Sequence, residues 1–123
     1  MIGHDITQTA AWANLLAHHR DLHNKHMRDW FEQDSGRFDT MHERLGAMLV
    51  DYSKNRVTEE SLRLLTALAD AADLAQWRER MFAGDKINLS EHRAVLHTAL
   101  RQPRDAVIEV DGVNVVAQAY AAL

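Results

Sequence analysis

Apolar residues recur at helical spacing early in the chain. Trp12, Leu15, Leu16, His19 and Leu22 fall on one face, and Asn14, His18 and Asp21 fall opposite. Asp5 followed by Gln8 has capping-box spacing, with Thr7 as a rival N-cap. A break is expected at Asn24. A second short helix is expected from about Lys25 to Gln33, with Met27, Trp30 and Phe31 as apolar anchors. Asp34-Ser35-Gly36 stops it, since glycine accepts the left-handed conformation that closes a helix.

From Phe38 to Lys54 the helical period is lost. Met48-Leu49-Val50-Asp51-Tyr52 is a short run of strand formers, and Gly46 precedes it. The pattern predicts a hairpin, Thr40 to Leu45 turning near Gly46 and returning through Met48 to Ser53. Such a ribbon is marginal alone and needs helices or a sheet to lie on.

The clearest helix opens at Thr58-Glu59-Glu60, an N-cap followed by two acids that meet the helix dipole favourably. Its expected stripe is Leu62, Leu65, Leu68, Ala69 and Ala72, with Leu64 beside it. Asp73 is expected to cap a following helix containing Leu74, Trp77, Met81 and Phe82, closed by Gly84. Asn88-Leu89-Ser90-Glu91 has capping-box spacing and predicts a helix through Val95, Leu96 and Ala99, stopped by Pro103. Asp111-Gly112, between the β-branched runs Val107 to Val110 and Val113 to Val116, predicts a second hairpin. A helix is expected to begin in Ala117 to Leu123, where apolar residues are still arriving. The fold class is mainly α with one or two short β-hairpins.

Composition narrows the function classes. The 123 residues suit one domain, and 46% hydrophobic with 26% charged residues excludes a disordered chain. Fourteen basic against eighteen acidic side chains leave a net charge of -4, and the arginines are scattered. No basic field gathers nucleic acid. The absence of cysteine excludes a disulfide scaffold, a thiol nucleophile and a thiolate metal site. Met1 to Asp5 shows no basic stretch leading into an apolar run, and no run is long enough to cross a bilayer. A cytoplasmic location is the expectation.

Candidate chemistry is sparse. Of eight histidines, His19 and His23 stand at i and i+4, half of a zinc site, but no His-Glu-x-x-His motif or third ligand accompanies them. His92 and His97 flank Arg93 on the expected helix, with Glu91 as a possible partner for an acid-base His97. Ser53, Lys54, Asn55 and Arg56 offer groups that suit a phosphate, yet no glycine-rich nest accompanies them, and a turn that caps the next helix suits them better. Lys86, in the loop Gly84-Asp85-Lys86-Ile87-Asn88, is a lone cation on a structural connection. The pattern itself assigns no catalytic, cofactor-binding or metal residue.

Ordered words along the chain add to this reading. His26-Met27-Arg28-Asp29, Gly36-Arg37-Phe38, Asp51-Tyr52-Ser53-Lys54-Asn55, Thr58-Glu59-Glu60, Met81 to Asn88, Glu91 to His97 and Val110-Asp111-Gly112 closely resemble the N-terminal region of the glucose-6-phosphate isomerase family. The family more often has Pro at Ser35, Glu at Asp85 and a small or polar residue at His92, and Gln102 to Glu109 is looser than its usual text.

The resemblance implies a helical lead-in to a two-domain α/β sugar-isomerase fold, with those two domains largely absent from residues 1–123. It implies interconversion of glucose 6-phosphate and fructose 6-phosphate through an enediol, in glycolysis and gluconeogenesis, without metal or organic cofactor. The family's base, ring-opening, anion-stabilising and phosphate-holding residues all come after the stretch that this chain resembles. None transfers to a numbered position here, and the chain alone is expected to be inactive. Its expected partners are a sugar phosphate only in the full-length parent, no nucleic acid, no membrane, and copies of itself through apolar faces left uncovered. Two rivals stand beside this reading. One is a non-catalytic helical binding or structural module, and the other a small enzyme using His19, His23 or His97.

Overall fold

A computed structural model describes residues 5–123. The chain divides into two compact units, the first running through Ala72 and the second from Asp73 to Leu123, where length alone suggested one domain. As expected, the fold is mainly helical with two short antiparallel hairpins.

In the first unit, Asp5 caps only a 3-10 turn, Ile6–Gln8, by accepting from the Thr7 N–H at 3.0 Å. The helix itself, α1 (Ala10–Leu22), is capped by Thr9, whose hydroxyl accepts from the Trp12 N–H. The expected caps, Asp5 and Thr7, therefore lie four and two residues too early. α2 (Met27–Gln33) starts at His26, whose ring nitrogen accepts from the Arg28 N–H, and it buries Trp30. A single turn, α3 (Arg37–Thr40), leads into β1 (His42–Leu45), which pairs with β2 (Met48–Asp51) in the expected hairpin. Gly46, at φ 59°, makes its turn.

α4 (Glu59–Ala71) lies along α1. Thr58 and Ser61 form a reciprocal capping box. The stripe is rotated from the expected one: Ser61 and Leu64 are the buried positions and Leu65 is exposed. A serine occupies a core position because its hydroxyl has partners there, described below.

The second unit opens with α5 (Leu74–Ala83). Asp73 sits at its N-cap with φ 53°, but its side chain caps nothing, contrary to expectation. Gly84, at φ 85°, closes the helix as expected. No helix starts at Asn88. The Asn88 side-chain oxygen instead accepts from Ser90 Oγ and the Glu91 N–H, and the Asn88 and Arg93 backbones bond each other in both directions. With His92 at φ 54°, the segment closes as a tight turn, and only a 3-10 turn, Ala99–Arg101, forms before Pro103.

The second hairpin is shorter than expected. β3 (Glu109–Val110) pairs with β4 (Val113–Asn114) through Asp111 and Gly112, both at positive φ. Asn114 then accepts from the Val116 and Ala117 N–H groups and starts α6 (Val115–Ala121). Val115 and Val116 thus become helix residues and, with Ala99, the core of this unit.

Candidate functional site

Arg37 is the centre of the first unit. Its side chain is 4% exposed, and it carries a charge into the interior. Burial of a cation is tolerated only with hydrogen-bond partners. Nε donates to the Ser53 carbonyl at 2.7 Å, and Nη2 donates to the carbonyls of Asn55 and Val57 at 3.0 and 2.6 Å. The guanidinium lies over the rings of Trp30 and Phe31, 5.1 and 5.9 Å from their centroids. Arg37 thus ties the loop after β2 to α2.

Arg56 works in the same way. Its Nη2 donates to the carbonyls of His23 and Lys25 at 2.5 and 2.7 Å, and more weakly to Leu22. These carbonyls lie at and beyond the C-terminus of α1, where a cation also meets the helix dipole. The possible phosphate cluster is therefore dispersed. Ser53 is buried, Asn55 gives its carbonyl to Arg37, Arg56 serves α1, and Lys54 is exposed. The Asp51 carboxyl is held below its ordinary value by hydrogen bonds from the Ser53 hydroxyl and N–H. Ser53 and Asp51 thus close the turn after β2, as the sequence favoured.

An apolar groove of about 330 Å³ runs along α1 and α4. Trp12, Leu15, Leu16, Leu22, Val57 and Leu65 line it, together with His18, His19, Arg56 and Ser61. His18 does not point to solvent opposite the apolar face, as its spacing suggested. Its Nε2 lies 2.7 Å from Ser61 Oγ and 3.4 Å from Thr58 Oγ1. Ser61 Oγ in turn accepts from the Thr58 N–H at 2.9 Å. The imidazole therefore joins the capping box of α4, which occupies the one nucleophile-like hydroxyl of the groove.

The remaining histidines are placed separately. His19 and His23 stack at 6.0 Å, and His23 Nδ1 sits 2.7 Å from the Arg20 carbonyl. Among the described residues no group of three His, Cys, Asp or Glu side chains is placed to hold a metal ion. Glu91 pairs with Arg93 and Asn88 rather than with His97, which is exposed. Lys86 is paired with Asp111 at 2.7 Å. The cavity of about 450 Å³ beside it is bordered by two acids, Glu91 and Asp111, as well as by Lys86, His92 and Arg93. No helix of the described residues is long and apolar enough to cross a membrane.

These contacts connect the words on which the resemblance rests. Arg37 of Gly36-Arg37-Phe38 binds the backbone of Asp51 to Asn55. Lys86 reaches Asp111 of Val110-Asp111-Gly112, and Gly84 lies where any Cβ would meet Ile108 and Val110. Arg37 and Arg56 hold backbone carbonyls, and Lys86 and Gly84 join their loop to the second hairpin; sequence spacing gave no sign of the roles of Arg37 and Arg56.

The class of protein follows from comparison with known families. The phosphoglucose isomerase family model matches residues 51–123, and the chain belongs to that family. Among its relatives, the glucose-6-phosphate isomerase of Mycobacterium avium (strain 104) is 52% identical over 119 residues, which is 97% of this chain and 22% of the relative. That of Roseiflexus castenholzii (strain DSM 13941 / HLO8) is 50% identical over 118 residues, 96% of this chain and 22% of the relative. That of Mycobacterium tuberculosis (strain ATCC 25177 / H37Ra) is 51% identical over 119 residues, with the same 97% and 22% shares. The chain thus spans about a fifth of the length of the curated relatives it matches.

Proposed function

We propose that these residues are the N-terminal, fold-bracing part of a glucose-6-phosphate isomerase. In the whole enzyme the reaction opens the sugar ring and moves a proton between C1 and C2 through an enediol, without metal or organic cofactor. The base, the ring-opening groups and the phosphate-holding residues come from polypeptide beyond this stretch, in the two α/β sugar-isomerase domains. The observation that carries the reading is the near-complete match of this chain to 22% of each relative. It is supported by the duties of the polar side chains described above: Arg37 and Arg56 hold backbone carbonyls, and His18 and Ser61 are taken up by the capping box of α4. Proton transfer needs acid, base and anion-holding groups within hydrogen-bond reach of one substrate.

The chain alone is accordingly inactive, and its setting is the cytoplasm and the glycolytic and gluconeogenic interconversion of hexose phosphates. Its uncovered apolar surface drives association with copies of itself. A coupled assay on the purified chain with fructose 6-phosphate gives no glucose 6-phosphate above the buffer rate. Turnover that co-purifies with the chain, and is lost on its removal by a tag-specific resin, contradicts the proposal.

The groove along α1 and α4 favours a second reading, a non-catalytic helical binding or structural module derived from the family. The reading frame beyond codon 123 separates the two. Continuation into two α/β domains supports the first, and a stop codon supports the second.

A further inference from the structure

The second hairpin turns on a chemically labile pair. Of the five glycines in the chain, Gly112 alone follows an Asp or Asn. At such a pair the glycine nitrogen, with no Cβ to shield it, attacks the side-chain carboxyl carbon of the preceding Asp. The amide hydrogen and the carboxyl hydroxyl leave as water, and a five-membered succinimide closes. Water then opens the ring. Opening at the side-chain carbonyl returns aspartate, and opening at the main-chain carbonyl gives isoaspartate, in which the backbone runs through the former side chain. One water is lost and one regained, so the mass is unchanged.

The turn is already close to the geometry of the ring. Val110 pairs with Val113, so Asp111 and Gly112 are the two central residues, at φ 53° and 78°. Those signs belong to a type I′ turn. A succinimide holds its own ψ at about -120°, the value at the first central position of a type II′ turn. Types I′ and II′ share positive φ at that position and differ by a flip of the peptide plane between the central residues. Asp111 therefore already has the φ of the ring, and one flip brings the Gly112 nitrogen round to the side chain. A Cβ built on Gly112 meets no atom within 4 Å beyond its chain neighbours, so the space around the turn is open.

One contact opposes closure. Lys86 Nζ holds Asp111 Oδ1 at 2.7 Å, and the carboxyl must leave this partner before its carbon reaches the Gly112 nitrogen. Both side chains are largely exposed, at 47% and 70%, so the restraint is slight.

We propose that Asp111 is a site of spontaneous isomerisation through a succinimide, slowed by its ion pair with Lys86. The isoaspartate adds a methylene to the main chain of a two-residue turn. The Val110–Val113 pairing and the Asn114 cap of α6 adjoin that turn, so the modification loosens the second unit. The product also carries a free α-carboxylate in the middle of the chain. That group is the recognition feature for a carboxyl methyltransferase specific for isoaspartate.

The test holds the 123-residue chain at neutral pH and body temperature in oxygen-18 water, with trypsin digestion of samples over time. Each ring opening leaves one heavy oxygen, and electron-transfer fragmentation of the peptide 105–123 distinguishes isoaspartate from aspartate at Asp111. Label and isoaspartate are expected at Asp111 at least about tenfold faster than at Asp34, whose following residue, Ser35, carries a Cβ. Lys86→Gln speeds the reaction at Asp111 about two- to fivefold, the worth of an exposed ion pair, and Lys86→Arg keeps the wild-type rate. High salt speeds the wild type and leaves Lys86→Gln unchanged, because it screens a pair that the variant lacks. Label at Asp111 that accumulates no faster than at Asp34 overturns the site. Equal rates in wild type and Lys86→Gln, or equal acceleration by Lys86→Arg and Lys86→Gln, overturn the restraint by Lys86.

Discussion

Arg37 Nε donates to the Ser53 carbonyl at 2.7 Å, and both residues are buried. This bond and its two companions to Asn55 and Val57 fix the loop between β2 and α4. Replacing Arg37 by Met keeps much of the stem but leaves three carbonyls without their donor. The expected loss is about 2–3 kcal/mol, the cost of leaving one buried and two part-buried acceptors without their donor. Arg37→Lys restores the charge without the planar fork and recovers only part of that loss. Urea unfolding of the three proteins checks the order wild type, Lys, Met.

Ser61 serves two helices at once through the Thr58 N–H and His18 Nε2. Ser61→Ala removes one half of the capping box and the partner of the imidazole. It is expected to cost about 1–2 kcal/mol. Thr66 offers a control, since its hydroxyl bonds only back to the Leu62 carbonyl on an exposed helix face. Thr66→Ala is expected to change stability by less than about 0.5 kcal/mol. Thermal unfolding of the two variants beside the wild type tests the contrast.

Gly84 ends α5 at φ 85°, and a Cβ placed on it falls 2.8 Å from Ile108 Cγ2 and 3.0 Å from Val110 Cγ2. Gly84→Ala combines left-handed strain with overpacking against the stretch leading into and forming β3. The expected destabilisation is about 2–3 kcal/mol. Ile108→Ala removes the closer methyl, so the double variant loses less than the two single effects combined. A double-mutant cycle in urea measures that coupling.

The Asp51 carboxyl is held below its ordinary value of 3.8, chiefly by the Ser53 hydroxyl and then by the Ser53 N–H. A carboxyl whose folded pKa is lowered stabilises the fold above its unfolded pKa, and that contribution disappears as pH falls through the folded pKa. Asp51→Asn is therefore less stable than wild type near neutrality, and the gap narrows as pH falls below the ordinary carboxylate range. Glu60, lowered by the Arg63 hydrogen bond, adds a loss of the same sign over the acid range. Melting midpoints of wild type and Asp51→Asn from neutral pH into acid show whether the gap narrows.

Local signals in the sequence were legible where one residue decides the backbone. Thr58 starts a helix, Gly84 ends one, and Gly46 and Asp111-Gly112 make turns, all as their chemistry dictates. The misreadings arise where local motifs have competing uses. Asn88 suits a helix cap, but the same side chain closes the turn onto Ser90 and Glu91. Val115 and Val116 suit a strand, but Asn114 caps a helix over them and the core of the second unit takes them up. Ser61 does not read as a core position, because serine is buried only when its hydroxyl is satisfied, and one partner, His18, lies 43 residues away. Arg37 and Arg56 were invisible for the same reason, since their carbonyl partners are 16 to 20 and 31 to 34 residues distant.

On the proposed reading, proton transfer is performed by groups outside these 123 residues. Enediol chemistry exchanges a C1 hydrogen of fructose 6-phosphate with solvent even when net conversion is slow. Proton NMR of fructose 6-phosphate incubated in deuterated buffer with the purified chain measures that exchange directly. Loss of the C1 signal is expected at the buffer-only rate at every chain concentration. Loss that rises in proportion to the chain, and survives repurification, contradicts it.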